Sequence, residues 1–434
     1  MAETRLDRAF AKIYASYLQR RPIARDDARH PEYTEQILER LGRPDSVSSN
    51  LVVTGSKGKG STAALTAQFL RAKGESVGLF TSPHLLDYFE RIRVDGVMIS
   101  PAEFLARFDE LEPSLDAVAA RLPAGHYVGP NGLYAVLAAL HFRARQVRWG
   151  VYETGRGALY DDVARIRHEF SAITLVLAEH VAELGPTLQD IARHKAGVVT
   201  PETRVVVLGA DQALLKEAVM RRLEELGHQA RVITAPDVVR AEAIQVDGRA
   251  TAFDLVWRDG RRWSKLCLPS LGPLVHNVAT AAVLAETMAG PVDEAQVRAV
   301  LERFRWPGRG EVMSEHPYVL LDAAVRPESL EPLLGRLPPF DTAVLSIPDG
   351  KDRAGMLQLV RQHAKVVVLT RTTNQRLPYQ MREEEGFDGV RWMENVSDAL
   401  AWALGQARPT SRVLLAGTLS FIADVYRYFG RQVD

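Results

Sequence analysis

Residues 51–62 read LVVTGSKGKGST, and this stretch constrains the fold more tightly than any other. Leu51-Val52-Val53 is a short apolar run that suits a buried parallel strand. It gives way to Gly55-Ser56-Lys57-Gly58-Lys59-Gly60-Ser61-Thr62 and then to ALTAQFLRAKG, an amphipathic helix stopped by Gly74. A strand that passes through a glycine-rich turn into a helix meets the needs of a phosphate. The glycines let backbone N–H groups approach its oxygens, and the helix N-terminus adds partial positive charge. Lys59 is placed to reach β/γ-phosphates, and Ser61 or Thr62 to hold Mg²⁺. The strict pattern G-x-x-x-x-G-K-[ST] is not met, because Gly60 stands between Lys59 and Ser61. A plain glycine-rich turn with a surface lysine is the alternative, and the flanking strand and helix weigh against it. The loop points to ATP or GTP and is silent about the reaction.

At 434 residues the length suggests about three domains, each large enough to bury a core. The 54 basic residues match the 54 acidic ones, so charge gives no case for nucleic acid or a membrane surface as partner. A single cysteine, Cys267, excludes an internal disulfide framework and fits a reducing compartment. Residues 1–21 are charged throughout and lack the apolar core of a signal peptide. No run approaches the ~18–20 uninterrupted apolar residues of a membrane span. The expectation is a soluble, cytoplasmic protein, a monomer or small homo-oligomer.

Helical spacing over 4–20 and 32–42 predicts two helices that pack on the nucleotide domain. Residues 76–80 read as the next parallel strand and run into Thr81-Ser82-Pro83-His84, a loop at a strand's carboxyl end, where α/β sheets bind ligands. Helices are expected near 101–121 and 131–147. A strand over 149–152 delivers Glu153, and a strand over 172–177 ends near Glu179-His180. A helix over 187–194 and a strand over 204–208 complete a doubly wound parallel sheet. Residues 241–269 contain Asp247-Gly248 and Asp259-Gly260, two type I′ hairpin signals that predict a small antiparallel sheet. Helices over 275–288 and 294–304 follow, then the linker Trp306-Pro307-Gly308-Arg309-Gly310. Strands near 318–321, 342–346, 366–369 and 413–416 predict a second α/β series. The expected organisation is an α/β, P-loop parallel-sheet ATPase domain with the small sheet over 1–307, and a smaller Rossmann-like C-terminal domain over 308–434.

In this topology the loop, Ser82, Glu153 and His180 converge on one rim of the sheet. Ser61 and Glu153 suit a metal beside the β/γ-phosphates, and Ser82 and His180 a second, since Mg²⁺ takes oxygen ligands and retains several waters. Taken singly, a glutamate after a strand is an ordinary loop residue and a histidine an ordinary polar one; the joint pattern argues for function.

Three stretches carry a family resemblance: GSKGKGST (55–62), GLFTSPHLLDYFERIRVDGVMIS (78–100) and EHVAELGPTLQDIARHKAGVV (179–199). RWPGR (305–309) and AGTLSFIADV (416–425) add to it. From about residue 30 onward the chain resembles the folylpolyglutamate synthase/dihydrofolate synthase family of the Mur ligase superfamily. The resemblance implies an ATP-dependent ligase that joins a small-molecule carboxylate to an amino acid or amine through an acyl phosphate, releasing ADP. It implies that Lys195 matches a lysine carbamylated in many members, which turns a cation into an anionic metal ligand. It also implies that Arg309 and Asp322 close over the phosphates and ribose, and that Asn277 lies near the adenine. The implied set is thus Lys59, His180, Lys195 and Arg309 for catalysis, residues 55–62 with Asn277, Arg309 and Asp322 for ATP, and Ser61, Ser82, Glu153, His180 and Lys195 for two Mg²⁺ ions.

Four stretches depart from the family pattern. Asp322-Ala323-Ala324-Val325-Arg326-Pro327 stands where Asp-Gly-Ala-His-Asn-Pro is usual. After Glu153 the chain reads Gly155-Arg156-Gly157, closer to the cyanophycin synthetase branch, instead of Gly-Leu-Gly-Gly-Arg. Lys57 replaces an asparagine, and GPNGLY (129–134) replaces an aromatic-acidic start. These changes keep two further readings open: a Mur-type or cyanophycin-synthetase-like amide ligase for a non-folate carboxylate, and an inactive nucleotide-binding relative with a regulatory role.

Overall fold

The structure, a computed structural model, describes residues 4–19, 29–380 and 390–433. Two compact units divide the chain: residues 1–242, 255–263 and 276–300 form one, and 243–254, 264–275 and 301–434 the other.

In the first unit, α1 (Arg5–Gln19) and α2 (Glu32–Arg40) precede β1 (Ser49–Thr54), which leads into α3 (Lys59–Ala72). Then come β2 (Val77–Phe80), β3 (Ile92–Val94) and β4 (Val97–Met98). Helices α4 (Pro101–Ala119) and α5 (Pro130–Ala144) lead to β5 (Trp149–Glu153) and β6 (Phe170–Ile173). After the short helix α6 (Val181–Leu184) come α7 (Leu188–Ala196), β7 (Val205–Leu208), α8 (Ala213–Glu225) and β8 (Arg231–Thr234). The eight strands order as β4-β3-β2-β5-β1-β6-β7-β8.

β1 lies between β5 and β6 and is parallel to both, with Val53 opposite Glu153 and Thr54 opposite Ile173. All of Asn50–Thr54 is buried, as expected for a strand covered on both faces. The expected all-parallel sheet is mixed at one edge, because β3 runs antiparallel to β2 and β4 to β3. The N-terminal helices pack as expected: Ala9, Ile13, Ile37 and Leu38 join the core with Phe104, Leu111, Tyr134 and Leu137.

Two local expectations are corrected. The strand expected over 172–177 ends at Ile173, because the next residues bond to the glycine-rich loop: Leu175 O accepts from Ser56 N at 2.8 Å, and Leu177 N donates to Ser56 Oγ at 3.0 Å. The small sheet exists, ordered β11-β10-β9 from β9 (Val239–Val246), β10 (Thr251–Trp257) and β11 (Arg262–Leu268). Connections this short make its strands antiparallel. Its hairpins are not type I′, however. That turn needs positive φ at both central residues, and only Gly248 and Gly260 have it. Asp247 and Asp259 instead accept backbone N–H bonds within the turn, from Arg249 at 2.8 Å and Arg261 at 3.0 Å.

In the second unit, β12 (Glu311–Glu315), β13 (Tyr318–Asp322), β14 (Phe340–Ser346), β15 (Ala364–Thr370), β16 (Val390–Met393) and β17 (Arg412–Gly417) order as β12-β13-β17-β14-β15-β16. Only β12 is antiparallel. The four expected strands are present; β12 and β16 are edge strands whose short, partly exposed runs give little periodic signal. Among the described residues, no helix is long and apolar enough to cross a membrane.

Candidate functional site

The loop after β1 turns on two glycines whose positions admit no side chain. Gly58 caps α3 at φ 85°, ψ 2°, and a Cβ there would lie 2.5 Å from Asn277 Oδ1. At Gly55 (φ 141°) a Cβ would meet Thr174 Oγ1 at 1.8 Å. The chain is thereby free to wrap closely, with the N-terminus of the 14-residue helix α3 directly behind it. Helix ends leave their first N–H groups without intrahelical partners, so this geometry is able to receive phosphate oxygens.

Lys59 Nζ donates to Gly55 O at 3.0 Å, and Lys195 Nζ, from the last turn of α7, donates to the same oxygen at 2.8 Å. Lys195 is only 1% exposed. Burial, and next the charge of Lys59, pulls its pKa down to about 7, against the opposing pull of Glu179 and Asp161. At neutral pH a large share of Lys195 is therefore the nucleophilic free amine.

Ser61 Oγ donates to Gly58 O at 3.1 Å and accepts from Asn277 Nδ2 at 2.9 Å. Thr62 is fully buried, and its Oγ1 has no hydrogen-bond partner among the described residues. Lys57 pairs with Glu179 at 3.6 Å. At the neighbouring strand ends, Ser82 N donates to Glu153 Oε2 at 3.0 Å, so β2 and β5 bring these two residues together. His180 sits at φ 55°, capping α6. Gly60 lies in the first turn of α3.

Arg309 and Asp322 belong to the second unit. Asp322 Oδ2 accepts from Gly310 N and Oδ1 from Ala324 N, both at 2.8 Å, and Arg309 O accepts from Ser270 Oγ. Asp322 thus ties the end of β13 to the Gly308–Gly310 turn.

Sequence reasoning passed over three neighbours. Asp161 is buried and takes N–H bonds from Gly155 and Val163, both at 3.0 Å. Burial, and next Asp162, pushes its pKa up to about 7. His84 is held down to about 4 by burial and by Arg91, whose Nε donates to His84 Nδ1 at 2.9 Å. Glu90, in the same segment as His84, is also buried. The loop position of His84 after a strand end hinted at that residue, whereas Asp161 and Glu90 left no local signal.

The donor chemistry suits a hard cation next to phosphates. Ser61, Ser82 and Glu153 offer oxygens, whereas among the described residues no three His, Cys, Asp or Glu side chains cluster as a ready-made metal cage. Mg²⁺ is held in just this way, by one or two carboxylates with substrate phosphates completing the shell.

No family model matches the chain. A probable bifunctional folylpolyglutamate synthase/dihydropteroate synthase of Halobacterium salinarum is 32% identical over 407 residues, which is 91% of this chain. This chain spans about half of that relative's length, 48%. The dihydrofolate synthase/folylpolyglutamate synthase of Bacillus subtilis is 26% identical over 407 residues, covering 90% of this chain and 93% of the relative. The Mycobacterium tuberculosis folylpolyglutamate synthase, solved in complex with ADP and AMPPCP, superposes with a TM-score of 0.83 at 25% identity, over 98% of this chain and 100% of its own. The glycine-rich loop, the parallel-sheet α/β architecture and this likeness over nine-tenths of its length make the chain similar to the folylpolyglutamate and dihydrofolate synthases.

Proposed function

We propose that this chain is an ATP-dependent, ADP-forming ligase that makes an amide between a folate-type carboxylate and glutamate. The observation that carries the reading is the meeting of Lys59 and a buried Lys195 on one carbonyl inside a glycine-lined phosphate loop. A carboxylate is a poor electrophile, so its oxygen first attacks the γ-phosphorus and ADP leaves. The amine nitrogen then attacks the acyl carbon, the C–O bond to phosphate breaks, and the nitrogen loses a proton. Lys59 and the N-terminus of α3 stabilise the charge on the transferring phosphoryl group. Ser61, Ser82, Glu153 and His180 are the side chains proposed to hold Mg²⁺, whose chemistry when bound is neutralisation of phosphate charge.

Two ammonium groups on one oxygen repel each other in a buried site. Reaction of the Lys195 amine with CO₂ gives a carbamate and releases one proton, replacing that repulsion with attraction to Lys59. We propose that Lys195 works in this form, as an anionic ligand.

The test is ADP release from the purified protein with ATP, Mg²⁺ and L-glutamate, comparing dihydropteroate and tetrahydrofolate with no acceptor. Acceptor-dependent release with a matching mass gain in the product supports the reading. Release with neither folate overturns it.

A further inference from the structure

Glu90 is a buried carboxylate with none of the roles assigned above. It lies in the turn Tyr88–Arg91, is 6% exposed, and gathers three consecutive backbone N–H groups. Leu85 N donates to Oε2 at 2.8 Å, and Leu86 N and Asp87 N both donate to Oε1 at 2.7 Å. A capping box accounts for the bond from Asp87 alone. The other two reach back into the loop that begins at Ser82. Such bonds to an ionised carboxylate are roughly twice as strong as neutral ones.

The other end of the loop is held by a second carboxylate, since Ser82 N donates to Glu153 Oε2 at 3.0 Å. Thr81 N closes the base on Arg91 O at 3.0 Å. From the same turn, Arg91 Nε donates to His84 Nδ1 at 2.9 Å, and Arg91 Nη1 donates to Asn131 Oδ1 at 3.2 Å. The nitrogen of His84 that accepts carries no proton, so the neutral ring presents an N–H at Nε2. The segment has no regular secondary structure between Thr81 and Asp87. One side chain supplies three of the bonds that shape it.

We propose that Glu90 is a positioning residue: it fixes the backbone of 83–87 so that the Ser82 hydroxyl stands beside Glu153 as a ligand for the divalent cation. The kinetic arm of the test rests on the ligase reading; the other arms do not.

The test compares wild type with Glu90→Gln, in which an amide NH₂ replaces one acceptor oxygen. Hydrogen exchange on the nucleotide-free protein should show the amides of 85–87 exchanging at least about tenfold faster, with β1 and α3 unchanged. Mn²⁺ binding in the presence of ADP, followed by electron paramagnetic resonance, should weaken about tenfold, while ADP affinity without metal stays within about twofold. Because Glu90 acts through Ser82, the double variant Glu90→Gln/Ser82→Ala should bind Mn²⁺ no more than about twofold worse than Ser82→Ala alone. In the kinetic arm the half-saturating Mg²⁺ rises by a similar factor. Unchanged exchange at 85–87, or Mn²⁺ losses that multiply in the double variant, overturns the proposal. If Glu90→Gln does not fold, Glu90→Asp, which keeps the charge on a shorter arm, is read by the same criteria. A wild type inert toward every folate acceptor defeats the ligase reading, yet the exchange and Mn²⁺ arms still decide the role of Glu90.

Discussion

Gly58→Ala tests whether the loop's geometry is what binds nucleotide. Gly58 sits at φ 85°, ψ 2°, where an L side chain is strained by about 1–2 kcal/mol. The new methyl would lie 2.5 Å from Asn277 Oδ1 and 2.9 Å from Nδ2, well inside contact distance. Asn277 must move, and its hydrogen bond to Ser61 Oγ, now 2.9 Å, is lost at a cost of about 1 kcal/mol. Together these come to about 2–3 kcal/mol. If the bound loop has the shape seen here, ADP affinity falls roughly 30- to 150-fold. Titration calorimetry with ADP reads this directly. In an Asn277→Ala background the clash disappears and only the strain remains, so the same substitution should cost about 1 kcal/mol less. Binding within twofold of wild type, or no relief from Asn277→Ala, would show that the Gly58 geometry does not govern nucleotide binding.

Further outcomes follow from the buried charges. Lys195 should add the mass of CO₂ in a ¹³C-bicarbonate buffer and give a carbamate carbon signal, which vanishes in Lys195→Met and drops steeply in Lys59→Met; an equal signal in all three proteins would remove the carbamate from the account. Asp161 has a folded pKa of about 7, above its unfolded value, so the folded state holds a proton that the unfolded chain releases. Its contribution therefore declines as pH rises from about 4 to 7, by up to about 4 kcal/mol. Urea unfolding of Asp161→Asn should lack that slope; the buried His84 and His141, which act in the opposite direction, are common to both proteins and drop out of the comparison. Ser100 caps α4 through Glu103 N and holds the Glu103 carboxyl down to about 2, so Ser100→Ala should cost about 1 kcal/mol in the same assay.

The part of the fold that could be read in the sequence is the part written locally. An apolar triplet, a glycine turn and a helix-forming run stopped by Gly74 marked β1, the loop and α3 without reference to anything distant, although α3 is buried nearly all round and not amphipathic as expected. Where partners are remote in sequence, local pattern misleads. Residues 174–177 look like a continuing strand, but their backbone serves Ser56, about 120 residues earlier. The aspartates of the two Asp-Gly turns fold inward to accept backbone N–H bonds, which a dipeptide signal does not reveal. Lys195 reads as an ordinary helix lysine until the fold buries it beside Gly55; only the family resemblance singled it out beforehand. Glu90 was invisible for a related reason: its partners are main-chain amides, which leave no trace in residue identity.

The proposed activity is acyl activation followed by amide formation at the Lys59–Lys195 loop. The most direct measurement is ADP release with L-glutamate, Mg²⁺ and either dihydropteroate or tetrahydrofolate, with product mass recorded. The proposed ligase releases ADP only with an acceptor and gives a product heavier by one glutamyl residue, both abolished by Lys59→Met. Nucleotide binding with no acceptor-dependent turnover would contradict it.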